Sequence, residues 1–111
     1  METTSINLEN KTLVRTAALA KAIGHPVRIA ILQFLAGRDV CICGDITDVI
    51  PLAQSTVSQH LKVLKEAGLI KGEVEGVKSC YCLNREGISE LEQLLNSFVS
   101  ELNSPESGPC C

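Results

Sequence analysis

The sequence predicts a mainly α chain with a small β-hairpin, in the order α-α-α-α-β-β-α, the arrangement of a winged helix-turn-helix. Three observations carry this reading. After the breaker Pro51, the polar run Gln54, Ser55, Thr56, Ser58, Gln59, His60 is threaded by Val57, Leu61 and Leu64, the i, i+4, i+7 spacing of one buried helical face. The corner from Pro51 to Ala53 is short enough to join that helix to another before it. Two short extended runs then follow around Glu75-Gly76, a turn signal between strands.

The elements follow in order. Lys11 to Ile23 reads as a helix on which Leu13, Val14, Ala17, Ala18 and Ala20 form an apolar face of mostly small residues, open to close approach. His25-Pro26 opens a second helix, Val27 to Ala36, with Pro26 at its first position and Gly37 as its stop. Its nearly continuous Ile29, Ala30, Ile31, Leu32, Phe34 and Leu35 mark it as the buried centre. Gly44 to Ile50 carries Ile46, Val49 and Ile50 at helical spacing and forms the first helix of the helix-turn-helix. Gly68 ends the second as a C′ residue. Leu69 to Val74 and Val77 to Leu83 are the hairpin strands. The last helix, residues 86–102, bears a stripe of Ile88, Leu91, Leu94, Leu95, Phe98 and Leu102.

With 111 residues, 45% of them hydrophobic, there is material for one domain with a small core. That domain is assigned to residues 1–102, with the helix-turn-helix at 41–70, the wing at 71–84, and terminal helices at 10–23 and 86–102. Two terminal apolar stripes exceed what one small domain needs, and they predict a homodimer. Residues 103–111 form a polar, Pro-containing flexible tail that ends in Cys110 and Cys111.

The outward positions of the polar helix suit a DNA major groove. Gln, Ser and Thr hydrogen-bond to base edges or phosphates, a helix N-terminus favours phosphate, and Lys62 and Lys65 add charge that releases counterions. The net charge of −3 is unusual for a nucleic-acid binder, but it is unevenly placed. From Gln54 to Arg85, Lys62, Lys65, Lys71, Lys78 and Arg85 oppose Glu66, Glu73 and Glu75, a net +2. From Glu86 to Cys111 there are five glutamates and no basic residue, a net −5. The acid thus sits away from the reading helix. No apolar run approaches the roughly 20 residues of a bilayer span, and residues 1–9 lack a secretory pattern, so a cytoplasmic protein with no membrane partner is expected.

The six cysteines fall into three close pairs: Cys41/Cys43, Cys80/Cys82 and Cys110/Cys111. In a reducing cytoplasm such pairs point to ligands or redox groups rather than structural disulfides. Thiolates without imidazole select soft, thiophilic centres, and the chain has only His25 and His60. An enzyme is not expected. The C-x-C spacings are not the C-x-x-C redox motif, no His/Asp/Ser constellation accompanies them, and there is no phosphate-binding glycine loop.

The motifs HPVRIAILQFLAG, CICGDI, QSTVSQHLKVLKEAGLI and the wing ending GVKSCYCLN resemble the ArsR/SmtB family of metalloregulatory repressors, over about residues 24–84. The resemblance implies a homodimeric winged-helix repressor that leaves two-fold-related half-sites of double-stranded operator DNA when it binds an inducer ion. Residues matching the family's recognition helix are Gln54, Ser55, Thr56, Ser58, Gln59, His60 and Lys62. One departure is Ala53, which stands where the family often has a capping Ser. The CxC of CICGDI resembles the family's arsenite/antimonite and cadmium/lead sites, whereas the last helix lacks the His of the family's zinc pattern. The expected inducer is therefore trivalent arsenic or antimony, as arsenite, antimonite or a trivalent organoarsenical. Cadmium or lead, and thiol sensing of oxidants or reactive sulfur, are the alternatives. Trivalent arsenic takes three thiolates in a pyramid. Cys41 and Cys43 supply two, and the tail pair Cys110 and Cys111 is the first choice for the third, with Cys80 and Cys82 as rivals. As positions i and i+2 of a helix, Cys41 and Cys43 would point about 200° apart, so ligation demands an extended or unwound backbone there.

Overall fold

The computed structural model describes residues 5–38, 42–43, 49–75 and 78–105, with backbone alone at 42, 43, 73–75, 78 and 79. In chain order the described elements are α1 (Lys11–Ile23), α2 (Pro26–Ala36), β1 (Ile42–Cys43), α3 (Gln54–Glu66), β2 (Ile70–Glu75), β3 (Lys78–Leu83) and α4 (Arg85–Leu102). This is the expected winged helix-turn-helix. The expected helix over 44–50 lies outside the described residues except at its last two positions, and residues 106–111 of the tail lie outside them altogether. Among the described residues no single helix is long and apolar enough to cross a membrane.

Local chemistry sets the helix ends. Asn10 caps α1, its side chain accepting from the Leu13 N–H at 3.0 Å. Pro26 starts α2 at a position where its missing N–H costs nothing, and His25 Nδ1 accepts from the Val27 N–H at 3.1 Å. Gly68, at φ +82°, ends α3 in a Schellman turn. There the Leu69 N–H donates to the Leu64 carbonyl and the Gly68 N–H to the Lys65 carbonyl, both at 3.0 Å.

The core draws on α1 (Leu19, Ala22), α2 (Ile31, Leu35), α3 (Val57, Leu61, Leu64) and the strand entry (Leu69, Ile70), all buried. Each large aliphatic side chain buried there contributes roughly 1.5–3 kcal/mol. The centre of α2 is narrower than its sequence suggests. Ile29 remains 45% exposed and Ala30 is exposed, because a helix turns only one stripe, here Val27, Ile31 and Leu35, toward one neighbour. Tyr81 and Leu83 of the wing, with Ile88, Leu91 and Leu94 of α4, close the core from the other side.

The sheet has one strand more than the expected hairpin. Its order is β1-β3-β2, all antiparallel, with Ile70 opposite Leu83 and Glu75 opposite Lys78 in the hairpin. In the added pairing Ile42 is opposite Tyr81 and Cys43 is opposite Cys80. The start of the helix-turn-helix segment is therefore joined to the wing.

Two contacts fix α4 against the end of α3. Arg15 of α1 binds Glu90 of α4 through Nε and Nη2 of one guanidinium edge, at 3.0 and 2.8 Å, and Nη2 also donates to the Ala67 carbonyl at 2.9 Å. The Arg15 hydrogen bond holds the Glu90 carboxyl below its usual range, and the same bond raises the guanidinium. Both side chains stay more than a third exposed, so the pair orients more than it stabilises. Beside it, Gly87 is buried with no room for a side chain, because a Cβ there would overlap the carbonyl oxygen of Gly68.

Candidate nucleic-acid interface and thiol site

Helix α3 is held by its apolar face and presents its polar one. Val57, Leu61 and Leu64 are buried, while Gln54, Ser55, Thr56, Ser58, Gln59 and Lys62 are exposed. The stretch before it is also open, with Leu52 41% exposed and Ala53 giving no side-chain cap to the helix. An α-helix leaves its first N–H groups without partners inside the helix, and these point along the axis at whatever lies beyond. A helix N-terminus without a side-chain cap, flanked by hydroxyls and amides, is equipped to meet a phosphate and then base edges.

His60 differs from the other six recognition-helix positions. It is half-buried, and its ring lies 4.3 Å from that of His25 at a tilt of 44°. Burial, and then the charges of His25 and Arg28, lower its pKa from the usual histidine value. His60 therefore fastens the middle of α3 to the start of α2. Spacing along α3 marks it as outward; only the approach of α2 reveals the contact.

The wing positions the thiols. Tyr81 and Leu83 pack on the core, so Cys80 and Cys82 stand at the alternate positions of β3, on its other face. Both are half-buried, and both are disulfide-bonded. Cys43 is the ladder partner of Cys80, on backbone that is extended rather than helical. Cys41, Cys110 and Cys111 lie outside the described residues. Of the sequence-predicted thiols, the structure thus brings the Cys43 position together with the wing. A sequence signal for this exists in hindsight. Cys41-Ile42-Cys43 and Cys80-Tyr81-Cys82 share one pattern, two cysteines flanking an apolar residue, which is the period of a strand with one face turned inward.

The terminal helices leave apolar surface uncovered. Leu13 and Val14 of α1 are 43% and 50% exposed, and Phe98, Val99 and Leu102 of α4 are 46%, 48% and 64% exposed. Between the helices lies a cleft of about 710 Å³ lined by Ile6, Leu13, Ala17, Leu94, Leu95 and Phe98. A monomeric protein rarely shows so continuous an apolar surface without a partner for it.

Comparison with known proteins agrees with this geometry. A helix-turn-helix domain model matches residues 23–73. The arsenical resistance operon repressor of Bacillus subtilis is 35% identical over 92 residues, covering 82% of this chain and 85% of that protein. The transcriptional repressor SmtB of Mycobacterium tuberculosis is 42% identical over 65 residues, 59% of this chain and 47% of that one. Among solved structures, a possible transcriptional regulator for arsenical resistance superposes with a TM-score of 0.62 at 31% identity, covering 70% of this chain and 80% of that one.

Proposed function

The chain belongs to the ArsR/SmtB family of winged helix-turn-helix transcriptional repressors, and from that premise we propose that it is an arsenic-responsive repressor. In this reading a homodimer holds operator DNA with two α3 helices in successive major grooves, and trivalent arsenic bound by cysteine thiolates releases it. The observation that carries the DNA half is the outward polar face of α3, with no side-chain cap at its N-terminus, set on a rigid apolar base. Gln54, Ser55, Thr56, Ser58 and Gln59 reach bases and phosphates, and Lys62 neutralises a phosphate. His60 acts from behind, through His25. The exposed stripes of α1 and α4 meet their counterparts across a two-fold axis, which sets the two reading helices about one DNA turn apart.

The arsenic half is supported by the donor chemistry and by the relatives. Three soft thiolates satisfy trivalent arsenic, whose lone pair fills the fourth direction, and two relatives at 31% and 35% identity are named for arsenical resistance. The C-x-C segment Cys41-Ile42-Cys43 begins the site at the start of the helix-turn-helix. In this reading the ion fixes the setting of the helix expected over 44–50, which leads into α3 across the Pro51 corner, and so lowers operator affinity. This chemistry belongs in the cytoplasm, where DNA and reduced thiols coexist.

A second reading is favoured by one observation, the disulfide bonding of Cys80 and Cys82. A thiol-based sensor would release DNA when such a bond forms. An anaerobic titration of the reduced protein on its operator with arsenite, antimonite, cadmium, lead and peroxide separates the readings. Release by arsenite at stoichiometric concentration supports the arsenic sensor. Release by peroxide alone replaces it with the redox sensor, and release by cadmium or lead alone reassigns the ion.

A further inference from the structure

We infer that the wing completes the ion site, with Cys80 and Cys82 of β3 joining Cys43 of β1 as its three thiolates. This rests on the thiolate-inducer reading above and names the donors that reading leaves open.

Three observations converge on it. First, β1 lies antiparallel to β3 with Cys43 directly opposite Cys80. Directly opposed positions in such a ladder have Cα atoms about 4.5–5.5 Å apart, within the range that lets two cysteines share a bond or an ion. Second, Cys80 and Cys82 are both disulfide-bonded, so each sulfur already stands within covalent reach of another cysteine's sulfur. A reductant that supplies two electrons and two protons per disulfide returns each of these sulfurs to a thiol beside the cysteine it was bonded to. Third, Tyr81 and Leu83 are anchored in the core, which fixes β3 and gathers Cys80 and Cys82 on its opposite face. A donor set held by a sheet is ordered before the ion arrives, and that is what raises affinity without new contacts.

The consequence is mechanical. An ion shared between β1 and β3 ties the start of the helix-turn-helix to the wing within one protomer. The wing is then part of the sensor, and its setting against DNA changes along with that of α3.

The test uses the full-length dimer, reduced anaerobically with a phosphine, which takes up the oxygen of one water for each disulfide opened into two thiols. Iodoacetamide labelling with and without arsenite, mapped by mass spectrometry, reads each cysteine in the unaltered protein. Cys43, Cys80 and Cys82 should be protected by arsenite. The double variant Cys80→Ser/Cys82→Ser should lose arsenite affinity on the order of 100-fold, the scale of a lost chelating donor. A truncation after Gly108 should stay within about 3-fold, since no chelating donor is removed. Protection at Cys110 and Cys111 with Cys80 fully labelled would overturn the proposal while leaving the arsenic sensor standing. Absence of protection at every cysteine would overturn the arsenic reading itself, and this proposal with it.

Discussion

Replacing Gly87 by alanine should destabilise the protein, against the usual trend for helical glycines. Within a helix the exchange ordinarily gains about 0.5–1 kcal/mol, because alanine loses less backbone entropy on folding. At Gly87 the new Cβ would overlap the Gly68 carbonyl oxygen, lie 2.8 Å from its carbonyl carbon and touch the Leu69 Cα. Neither neighbour can yield cheaply. Gly68 holds the Schellman turn at φ +82°, and its carbonyl accepts from Asn84 Nδ2 at 2.9 Å, while the Leu69 carbonyl accepts from the Asn84 N–H at 3.0 Å. Helix α4 must lift, at an overpacking cost of about 1–3 kcal/mol, with up to about 1 kcal/mol more for each strained hydrogen bond. The net loss is about 2 kcal/mol. With a urea dependence of roughly 1–3 kcal/mol per molar, the unfolding midpoint falls by about 1 M. The assay is equilibrium urea unfolding followed by circular dichroism at one fixed protein concentration, since dimerisation couples to stability. Ser89→Ala, an exposed position on the same helix, is the control and should leave the midpoint unchanged or slightly higher. A Gly87→Ala midpoint at or above wild type would refute the close packing of α4 on the end of α3.

Four further outcomes follow from the fold. Lys62→Ala should weaken operator binding evenly across sequences and reduce the slope of log affinity against log salt by about 2, one phosphate per protomer; Gln59→Ala should cost about 1–3 kcal/mol and relax preference at one base pair, both read by fluorescence anisotropy. Phe98→Glu should shift sedimentation from dimer to monomer at micromolar concentration, because the charge enters the exposed stripe of α4. The folded-state pKa of His60 lies below its ordinary value of 6.5, so the unfolded chain binds the extra proton first as pH falls. Stability should therefore drop as pH descends from about 6.5 toward the folded value, and His60→Gln should flatten that part of a urea-midpoint profile between pH 7.5 and 5.5.

The described helices were legible because their signals are local. Pro26 and Gly37 bracket α2, the Val57, Leu61, Leu64 spacing marks the buried side of α3, and Gly68 alone supplies the left-handed turn that ends it. The apolar stripe on residues 86–102 likewise marks α4 to within one residue. What escaped the sequence reading is nonlocal. A two-residue strand has no periodicity to detect, and β1 exists because β3, almost forty residues later, offers it an edge. Arg15 meets Glu90 across 75 positions and Gly87 meets Gly68 across 19, contacts that no window along the chain contains. For the site, the exposed hydroxyl and amide face of α3 was readable as a face, but the side-on contact of His60 with His25 needed the packing of α2. The cysteine pairs were readable by type and spacing as a set of thiol donors. Which pairs meet depended on sheet order, and a sheet's order is set by pairing energies between strands distant in the chain.

The most direct measurement of the central claim is the arsenite affinity of the reduced dimer with and without saturating operator DNA. If ion and operator bind opposing conformations, each must weaken the other by the same factor, typically 5–150-fold. The account predicts an arsenite affinity lowered on DNA by the factor by which arsenite lowers operator affinity. An arsenite affinity unchanged by operator DNA would contradict it.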